Sequence, residues 1–254
     1  MEIVLIKLKT DKEIDEMKKA GALAFELLDL AEKHIKPGIS TKEINDIIHD
    51  YTLSKGAVSA PLGYKGFPEA CCTSVNEVVC HGIPNRKHKL KNGDIINVDV
   101  TPIVGGFHGD SSRTFLVGNV SPEAKALVEC ARESLNVALD IVSDGCRIGD
   151  IGAVIQEFAE GKGFSVVKEF VGHGIGRVFH EEPQIPHYGI QGRGPRLTKG
   201  MTFTIEPMIN AGTWKTRILK DGWTAVTGDG KLSAQFEHTI AIRHDGTVDI
   251  LTLP

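Results

Sequence analysis

Apolar residues near the start of the chain recur every three or four positions, which is the period of an amphipathic helix. The pattern predicts a helix from Asp11 to His34, and Thr10 followed by Glu13 is typical of a capping box. Pro37-Gly38 ends this helix, and Ser40 is placed to cap a second one. The apolar face of the second helix is formed by Ile44, Ile47, Ile48 and Tyr51.

Further along the chain, the pattern changes to runs of β-branched residues around a pair of glycines, which predicts a β-hairpin. Its arms are Ile95 to Ile103 and Phe107 to Val117, with Val104-Gly105-Gly106 at the turn. Asp99 lies on one arm and Asp110 on the other. A two-residue loop would place both carboxylates on the same face of the sheet, whereas a three-residue loop without a bulge would place them on opposite faces.

Two ionised carboxylates on one face of a hairpin repel each other. Such a pair therefore favours a bound divalent cation between Asp99 and Asp110. The alternative is that both are ordinary strand acids in contact with solvent, and the hairpin by itself does not decide between the two.

The order of elements then repeats. Ser121-Pro122 is typical of a helix start, with an N-cap serine before proline at the first helical position. Glycines and apolar residues of the first half recur 107 positions later, so that Asp99 corresponds to Glu206. The next acids, Asp110 and Glu237, are 127 positions apart, which makes the second hairpin about 20 residues longer. The extra residues fall between Asn210 and Leu232.

This repeat predicts an α+β fold of two duplicated α/β halves, about residues 10–120 and 121–250, related by a pseudo-two-fold axis. We expect the two hairpins to meet in one central antiparallel sheet, with the helices on one face and a site on the other. No polar linker separates the halves, so the sequence predicts a single domain over residues 1–254.

Composition narrows the class of protein. The chain is 41% hydrophobic, with a net charge of −4, and predicts a well-packed core without a general attraction for nucleic acid or membranes. The apolar run Ile3 to Ile6 is too short for the core of a signal peptide. Five cysteines, two of them adjacent and none in a CxxC pair, do not form a disulfide framework or a structural zinc site. We therefore expect a cytoplasmic protein.

Four acids now lie on two equivalent hairpins: Asp99, Asp110, Glu206 and Glu237. Between them, His173 stands in the glycine-rich segment Val171 to Gly176, which fits neither the dinucleotide nor the P-loop pattern. A lone histidine is more often structural than a ligand. Together with four carboxylates, however, it provides enough donors for two divalent ions of the Mn²⁺, Fe²⁺, Co²⁺ or Zn²⁺ type. Acid spacing alone would suit a phosphatase equally well.

Short motifs along nearly the whole chain resemble those of the type I methionine aminopeptidases. They are Asn76-Glu-Val-Val-Cys-His81-Gly-Ile-Pro, Asn97-Val-Asp99-Val, Phe107-His-Gly-Asp110, Gly172-His173-Gly-Ile-Gly, Phe179-His180-Glu-Glu-Pro, Phe203-Thr-Ile-Glu206-Pro-Met and Gln235-Phe-Glu237-His-Thr. The resemblance implies the pita-bread fold. Only 26 residues separate His180 from Glu206, so the long insertion of the type II enzymes is absent.

The resemblance also implies roles for individual residues. Asp99 resembles the bidentate ligand of one metal, Asp110 and Glu237 the bridging ligands, and His173 and Glu206 the remaining ligands of the other metal. The family's substrate-contacting histidines correspond to His81 and His180, and His81, His180 and Glu206 are the implied catalytic residues. The implied methionine pocket consists of Tyr64, Phe67, Cys72, Phe179 and Trp223. A monovalent cation, Na⁺ or K⁺, would bind main chain near Asn76, Val78 and Ser233.

The implied activity is removal of the initiator methionine from nascent proteins and peptides, by attack of a hydroxide that bridges two metals on the first peptide bond. The second substrate residue should be small: Gly, Ala, Ser, Thr, Pro, Val or Cys. A monomer that transiently contacts the ribosome is implied. Two alternatives remain open, a proline-directed peptidase of the same fold and a metal-free peptide-binding module. Phe67 and Pro61 depart from some relatives, which affects only the rim of the pocket.

Overall fold

The computed structural model describes residues 6–254, so Ile3 to Leu5 of the N-terminal apolar run lie outside it. The described residues form four α-helices, α1 Asp11–His34, α2 Thr41–Ser54, α3 Pro122–Leu139 and α4 Ile148–Gly161, with a short 3₁₀ turn at Tyr64–Gly66. The strands of the first half are β1 Val58–Ser59, β2 Cys72–Val75, β3 Val78–Cys80, β4 Ile95–Val100, β5 Pro102–Val104, β6 Phe107–His108 and β7 Ser111–Leu116. Those of the second half are β8 Ser165–Val166, β9 Gly172–Gly174, β10 Glu181–Ile185, β11 Thr202–Ile205, β12 Met208–Asn210, β13 Thr216–Ile218, β14 Ala225–Thr227, β15 Ser233–Gln235, β16 His238–Ile242 and β17 Val248–Ile250.

The helix starts follow the predicted capping signals. Thr10 and Glu13 form the reciprocal hydrogen bonds of a capping box at α1, and Ser40 and Glu43 do the same at α2. Ser121 caps α3, with Pro122 at its first position. The predicted bounds of α1 are confirmed at both ends.

The 107-residue repeat is visible in the backbone. Helices α2 and α4 have the same length and begin 107 positions apart, as do the two-residue strands β1 and β8. The isolated bridge between Ser40 and Lys89 has its counterpart between Arg147 and Arg196 at the same offset. Gly38 and Gly145 both adopt the left-handed conformation, with φ of 94° and 91°. The predicted duplication is therefore present in the fold.

Strand alternation places the helices on one face of each half. Ile96, Val98 and Val100 of β4 pack against α1 and α2. Phe203 and Ile205 of β11 belong to the matching core under α3 and α4. Because neighbouring strand residues point to opposite faces, Asp99 and Glu206 face away from the helices.

The hairpin turn has the two-residue geometry that the site requires. Gly105 and Gly106 both have positive φ, 58° and 81°, and Val104 pairs with Phe107 across them. In this register Asp99 pairs with Ser112. Asp110 lies two residues before Ser112 and is therefore diagonally across from Asp99. The two carboxylates therefore lie on the same face, as a two-residue loop predicts.

The sequence predicted two continuous arms. In the structure both arms are interrupted, one near Thr101 and the other near Asp110. At this point the main chain of Asp110 turns to the other half of the molecule. Its N–H donates to Oγ1 of Thr239 at 3.1 Å, and its carbonyl accepts from the same hydroxyl at 2.8 Å. A bridge between Ser112 and Glu237 lies beside this contact, so the two hairpins meet at the centre of the fold.

The extra residues of the second hairpin form a hairpin of their own. Strands β13 and β14 pair with each other, and β14 also pairs with β3 of the first half. The turn between β13 and β14 carries Trp223 towards the centre of the molecule. Among residues 6–254, no helix is both long enough and apolar enough to cross a membrane.

Candidate metal centre and substrate cavity

Five side chains from the two halves line one cavity of about 370 Å³. Each lies on a strand or directly beside one, where the main chain is held by its neighbours. They are the five predicted ligands: Asp99, Asp110, His173, Glu206 and Glu237.

The donor atoms of these residues are close together. His173 Nε2 lies 3.5 Å from Asp110 Oδ2 and 3.7 Å from Glu206 Oε1. Donor atoms of Asp110, His173 and Glu237 all lie within 4.8 Å of one another, the spacing of a group that can hold a metal ion. Asp99 and Glu206 complete the cluster on the same cavity wall.

The four carboxylates differ in the hydrogen bonds that they receive. Glu206 accepts from Thr204 Oγ1 at 2.8 Å and from Gln235 Nε2 at 3.2 Å. Asp110 accepts from Thr101 Oγ1 at 2.7 Å. Within the described chain, no hydrogen-bond donor acts on the carboxylates of Asp99 and Glu237. Within the described chain, these two carboxylates therefore receive no hydrogen bond that would stabilise a negative charge.

The pKa values reflect this crowding. Burial raises the pKa values of Asp99 and Glu237 well above the usual range, and the neighbouring carboxylates raise them further. Burial also raises the pKa of Glu206, to about 7. Burial alone would lower the pKa of His173, but its contact with Asp110 and the charge of Glu206 raise it to about 9. Without metal, protonated His173 therefore supplies a positive charge within the cluster.

This donor set fits divalent cations. Buried carboxylates without protein donors are stable as anions only beside a positive charge, and one imidazole among four carboxylates suits borderline transition metals. The alternative that both hairpin acids are solvated does not hold, because Asp110 is only 4% exposed. The five residues would hold such ions through carboxylate oxygens and the Nε2 atom of His173.

Two further histidines stand beside the cluster. The ring of His180 lies 4.1 Å from that of His173, centroid to centroid. Burial and the nearby charge of His173 lower the pKa of His180 to about 4. Burial likewise lowers the pKa of His81, and the backbone of His81 adopts the left-handed conformation, with φ of 56°. Residues held in such strained conformations cluster at functional sites.

An aromatic wall adjoins the cluster. Phe67 meets Trp223 edge to face at 5.3 Å between ring centroids, and Tyr64 stacks on His180 at 5.2 Å. All five predicted pocket residues line the cavity, namely Tyr64, Phe67, Cys72, Phe179 and Trp223. The cavity is therefore polar at one end and apolar at the other.

Sequence reasoning missed several residues of the cavity. Phe170 contacts His81 edge to face, and Met208 and Gln235 lie next to the ligands. Gln235 could have been found from strand alternation, since it stands two positions before Glu237. The only sequence signal for Phe170 is its position just before the glycine-rich segment. The only signal for Met208 is its position two residues after Glu206.

Two more histidines, His187 and His108, are buried near the site. His187 is fully buried, and its Nε2 atom accepts the main-chain N–H of Glu206 at 3.0 Å. His108 stacks on Phe179 at 5.4 Å, and its Nδ1 atom donates to the carbonyl of Gly176. Both support elements that carry proposed site residues.

The residues expected near a monovalent cation are close in space. The N–H of Ser233 donates to the carbonyl of Asn76 at 2.9 Å, and Val78 begins β3 just beyond Asn76. The hydroxyl of Ser233 is buried and has no hydrogen-bond partner in the described chain. An unpaired buried oxygen is compatible with a cation ligand.

Comparison with known proteins places the whole chain in one family. Residues 15–244 match the model of metallopeptidase family M24. Methionine aminopeptidase A of Synechocystis sp. is 60% identical over 248 residues, which cover 98% of each chain. The crystal structure of methionine aminopeptidase from Rickettsia prowazekii is 50% identical, with a TM-score of 0.95 over 98% of this chain and 100% of that one. The corresponding structure from Thermotoga maritima is 42% identical, with a TM-score of 0.96 over 98% of this chain and 100% of that one.

These similarities confirm the pita-bread fold and an aminopeptidase that depends on divalent metal. The family match runs from residue 15 in α1 to residue 244, before β17, and so spans both halves and the positions of the five predicted ligands. The chain therefore belongs to metallopeptidase family M24, as a methionine aminopeptidase that resembles the bacterial type I enzymes.

Proposed function

We propose that this protein removes the initiator methionine from nascent proteins and peptides whose second residue is small. The observation that carries the proposal is the joining, in one cavity, of a five-residue donor cluster and an aromatic wall. The donor cluster accounts for hydrolysis at one end, and the wall accounts for an apolar first residue at the other.

Asp99, Asp110, His173, Glu206 and Glu237 are the proposed ligands of two divalent ions, of the Co²⁺, Mn²⁺, Fe²⁺ or Zn²⁺ type. When bound, the pair of ions would neutralise the buried carboxylates and supply a hydroxide near neutral pH by lowering the pKa of a shared water. Asp99 and Glu237 depend most on this neutralisation, since neither has a hydrogen-bond donor in the described chain.

Glu206 is the proposed proton carrier. Its carboxylate lines the cavity among the other proposed ligands, where it can take a proton from the attacking water and pass it to the leaving amine. Thr204 and Gln235 hold its two oxygens in place during this transfer. The attack itself places negative charge on the former carbonyl oxygen.

His180 is the proposed donor to that oxyanion. Its lowered pKa keeps the ring neutral at pH 7, with one N–H available to donate. His81, held by Phe170 and Trp223, is proposed to hydrogen-bond near the scissile nitrogen. Neither histidine needs to change its charge for these roles.

The aromatic wall explains the choice of methionine. A flexible, unbranched thioether packs well against aromatic rings and sulfur, and here it would meet Phe67, Trp223 and Cys72. The second residue of the substrate would lie beside the proposed ligands. We propose a preference for Gly, Ala, Ser, Thr, Pro, Val or Cys at that position.

The same proposal includes the setting of the enzyme. We propose that residues 1–254 act as a single catalytic domain, monomeric and cytoplasmic, in transient contact with the ribosome. Na⁺ or K⁺ near Asn76, Val78 and Ser233 would hold the loop before β3 against β15, where the Ser233 hydroxyl has no hydrogen-bond partner among residues 6–254.

A peptide panel tests the proposal. The protein, freed of metal and then supplied with Co²⁺, Mn²⁺, Fe²⁺ or Zn²⁺ in turn, is given Met-Xaa and Xaa-Pro peptides, and the products are analysed. Release of methionine from Met-Gly and Met-Ala peptides is expected, together with a loss of turnover by about 10³-fold or more in Glu206→Gln. Cleavage of Xaa-Pro peptides alone, or unchanged turnover in the variant, would contradict the proposal.

A further inference from the structure

The hydroxyl of Thr204 connects two of the proposed ligands. Its Oγ1 atom accepts the main-chain N–H of His173 at 3.0 Å and donates to Oε1 of Glu206 at 2.8 Å. A hydroxyl has only one proton to donate, so its donation to Glu206 fixes the direction of the O–H bond. One buried hydroxyl therefore sets the position of the His173 main chain relative to the Glu206 side chain.

The surroundings keep this arrangement rigid. Thr204 is fully buried in β11, on the same strand face as Glu206. Gly172 allows the close approach of β9, because a Cβ atom there would come within 2.5 Å of the Thr204 carbonyl oxygen and 3.1 Å of its Oγ1. No larger residue could occupy position 172 without moving the two strands apart.

We propose that Thr204 is a positioning residue, which arranges His173 and Glu206 for a divalent cation before the cation binds. The inference rests on the proposed ligand roles and deepens them. Thr204 does not line the cavity and so does not touch the substrate. Its effect should therefore appear in metal affinity and in kcat, and not in KM.

The second tether of Glu206 is weaker than the first. Gln235 Nε2 lies 3.2 Å from Oε2 of Glu206, and within the described part of the chain the Oε1 atom of Gln235 has no hydrogen-bond partner that would fix the amide. Loss of the Thr204 hydroxyl would leave the Glu206 carboxylate with this single longer hydrogen bond, and would leave the His173 N–H buried and unpaired. We expect a loss of Mn²⁺ affinity of about 10- to 100-fold, the range found when such supporting groups are removed.

Thr202 provides a matched control on the same strand. Its hydroxyl is also buried and also faces the segment that carries His173, but it donates to the carbonyl of Ile175 and touches no ligand. Replacing Thr202 with valine removes a buried hydrogen bond of similar kind without disturbing the cluster. A purely structural role for Thr204 predicts that the two valine variants behave alike.

The experiment compares the parent protein with Thr204→Val, Thr204→Ser and Thr202→Val. Metal is removed with a chelator, Mn²⁺ binding is measured by titration calorimetry, and kcat and KM are measured on a Met-Ala peptide. We expect Thr204→Val to lose Mn²⁺ affinity and kcat by about 10- to 100-fold, with KM changed by less than about threefold. Thr204→Ser keeps the hydroxyl and should remain close to the parent, as should Thr202→Val.

Parent-like Mn²⁺ affinity in Thr204→Val, or equal losses in Thr204→Val and Thr202→Val, would overturn the inference. If the valine variant does not fold, Thr204→Cys replaces it with a weaker donor of similar size, and the same loss of affinity is expected. Failure of the proposed function would look different. In that case the parent itself would bind no Mn²⁺, or Glu206→Gln would bind it as tightly as the parent.

Discussion

The Nε2 atom of His173 lies 3.5 Å from Oδ2 of Asp110, and this contact helps raise the pKa of His173 to about 9. In the metal-free protein, the protonated imidazole therefore neutralises part of the carboxylates' negative charge, as a bound cation would. An imidazole binds metal only when it is neutral. Metal binding and proton release should consequently be linked at this site.

The first prediction is that Mn²⁺ binding releases at least one proton per chain at pH 7.5. His173 is protonated at that pH without metal, because its pKa lies near 9, and it must lose the proton to become a ligand. Titration calorimetry in two buffers with different ionisation enthalpies gives the number of protons released.

The affinity for Mn²⁺ should also rise with pH until about pH 9. His173→Ala should bind weakly and release fewer protons, and proton release equal to the parent's would contradict the assignment.

The second prediction concerns the stability of the metal-free protein. The pKa of Glu206 is raised from 4.5 to about 7 in the folded chain, so its contribution is complete below pH 4.5 and is lost as the pH rises through about 7. Glu206→Gln cannot ionise and should avoid this loss. Without metal, the variant should gain about 3 kcal/mol in free energy of unfolding relative to the parent between pH 4.5 and pH 8.

Urea unfolding at several pH values, with a chelator present, measures this difference. With saturating Mn²⁺ the parent should be more stable than Glu206→Gln, because the parent binds the ion more tightly and is stabilised by it. A difference between parent and variant that does not change with pH would show that Glu206 is not held in a raised-pKa environment.

The third prediction tests the aromatic wall. Trp223 contacts Phe67 and His81 edge to face, so Trp223→Ala should lower kcat/KM for methionyl peptides by about 10-fold, mainly through KM. Trp214, the other tryptophan of the chain, is in the same insertion, stands between Lys168 and Lys215, and does not line the cavity. Trp214→Ala should keep the parent values, and an equal loss in both variants would point to a general effect of the insertion.

Much of the fold could be predicted from local signals. Capping residues fixed the start of α1, and the 107-residue offset indicated that α4 would match α2. The glycine pair indicated a turn but left two-residue and three-residue loops open, and only the structure shows that Gly105-Gly106 is the loop. These features depend on residues that are close in sequence or on a repeat that the sequence itself contains.

The long-range hydrogen bonds that hold the site residues in place could not be predicted in the same way. Thr204 reads as an ordinary strand residue, and its role depends on the N–H of His173, which is 31 positions away. The break of the hairpin at Asp110 depends on Thr239, 129 positions away. The Thr204 contact joins two strands of the second half, and the Asp110 contact joins the two halves. Both depend on strands that are distant in sequence, for which no local signal exists.

The central claim is that five side chains from two duplicated halves hold a pair of divalent ions. Crystals of the protein grown with Mn²⁺ and measured near the manganese absorption edge test it directly. We predict two anomalous peaks about 3.5–4 Å apart, enclosed by Asp99, Asp110, His173, Glu206 and Glu237. Peaks bound by other residues, or no peak at this cluster under saturating Mn²⁺, would contradict the account.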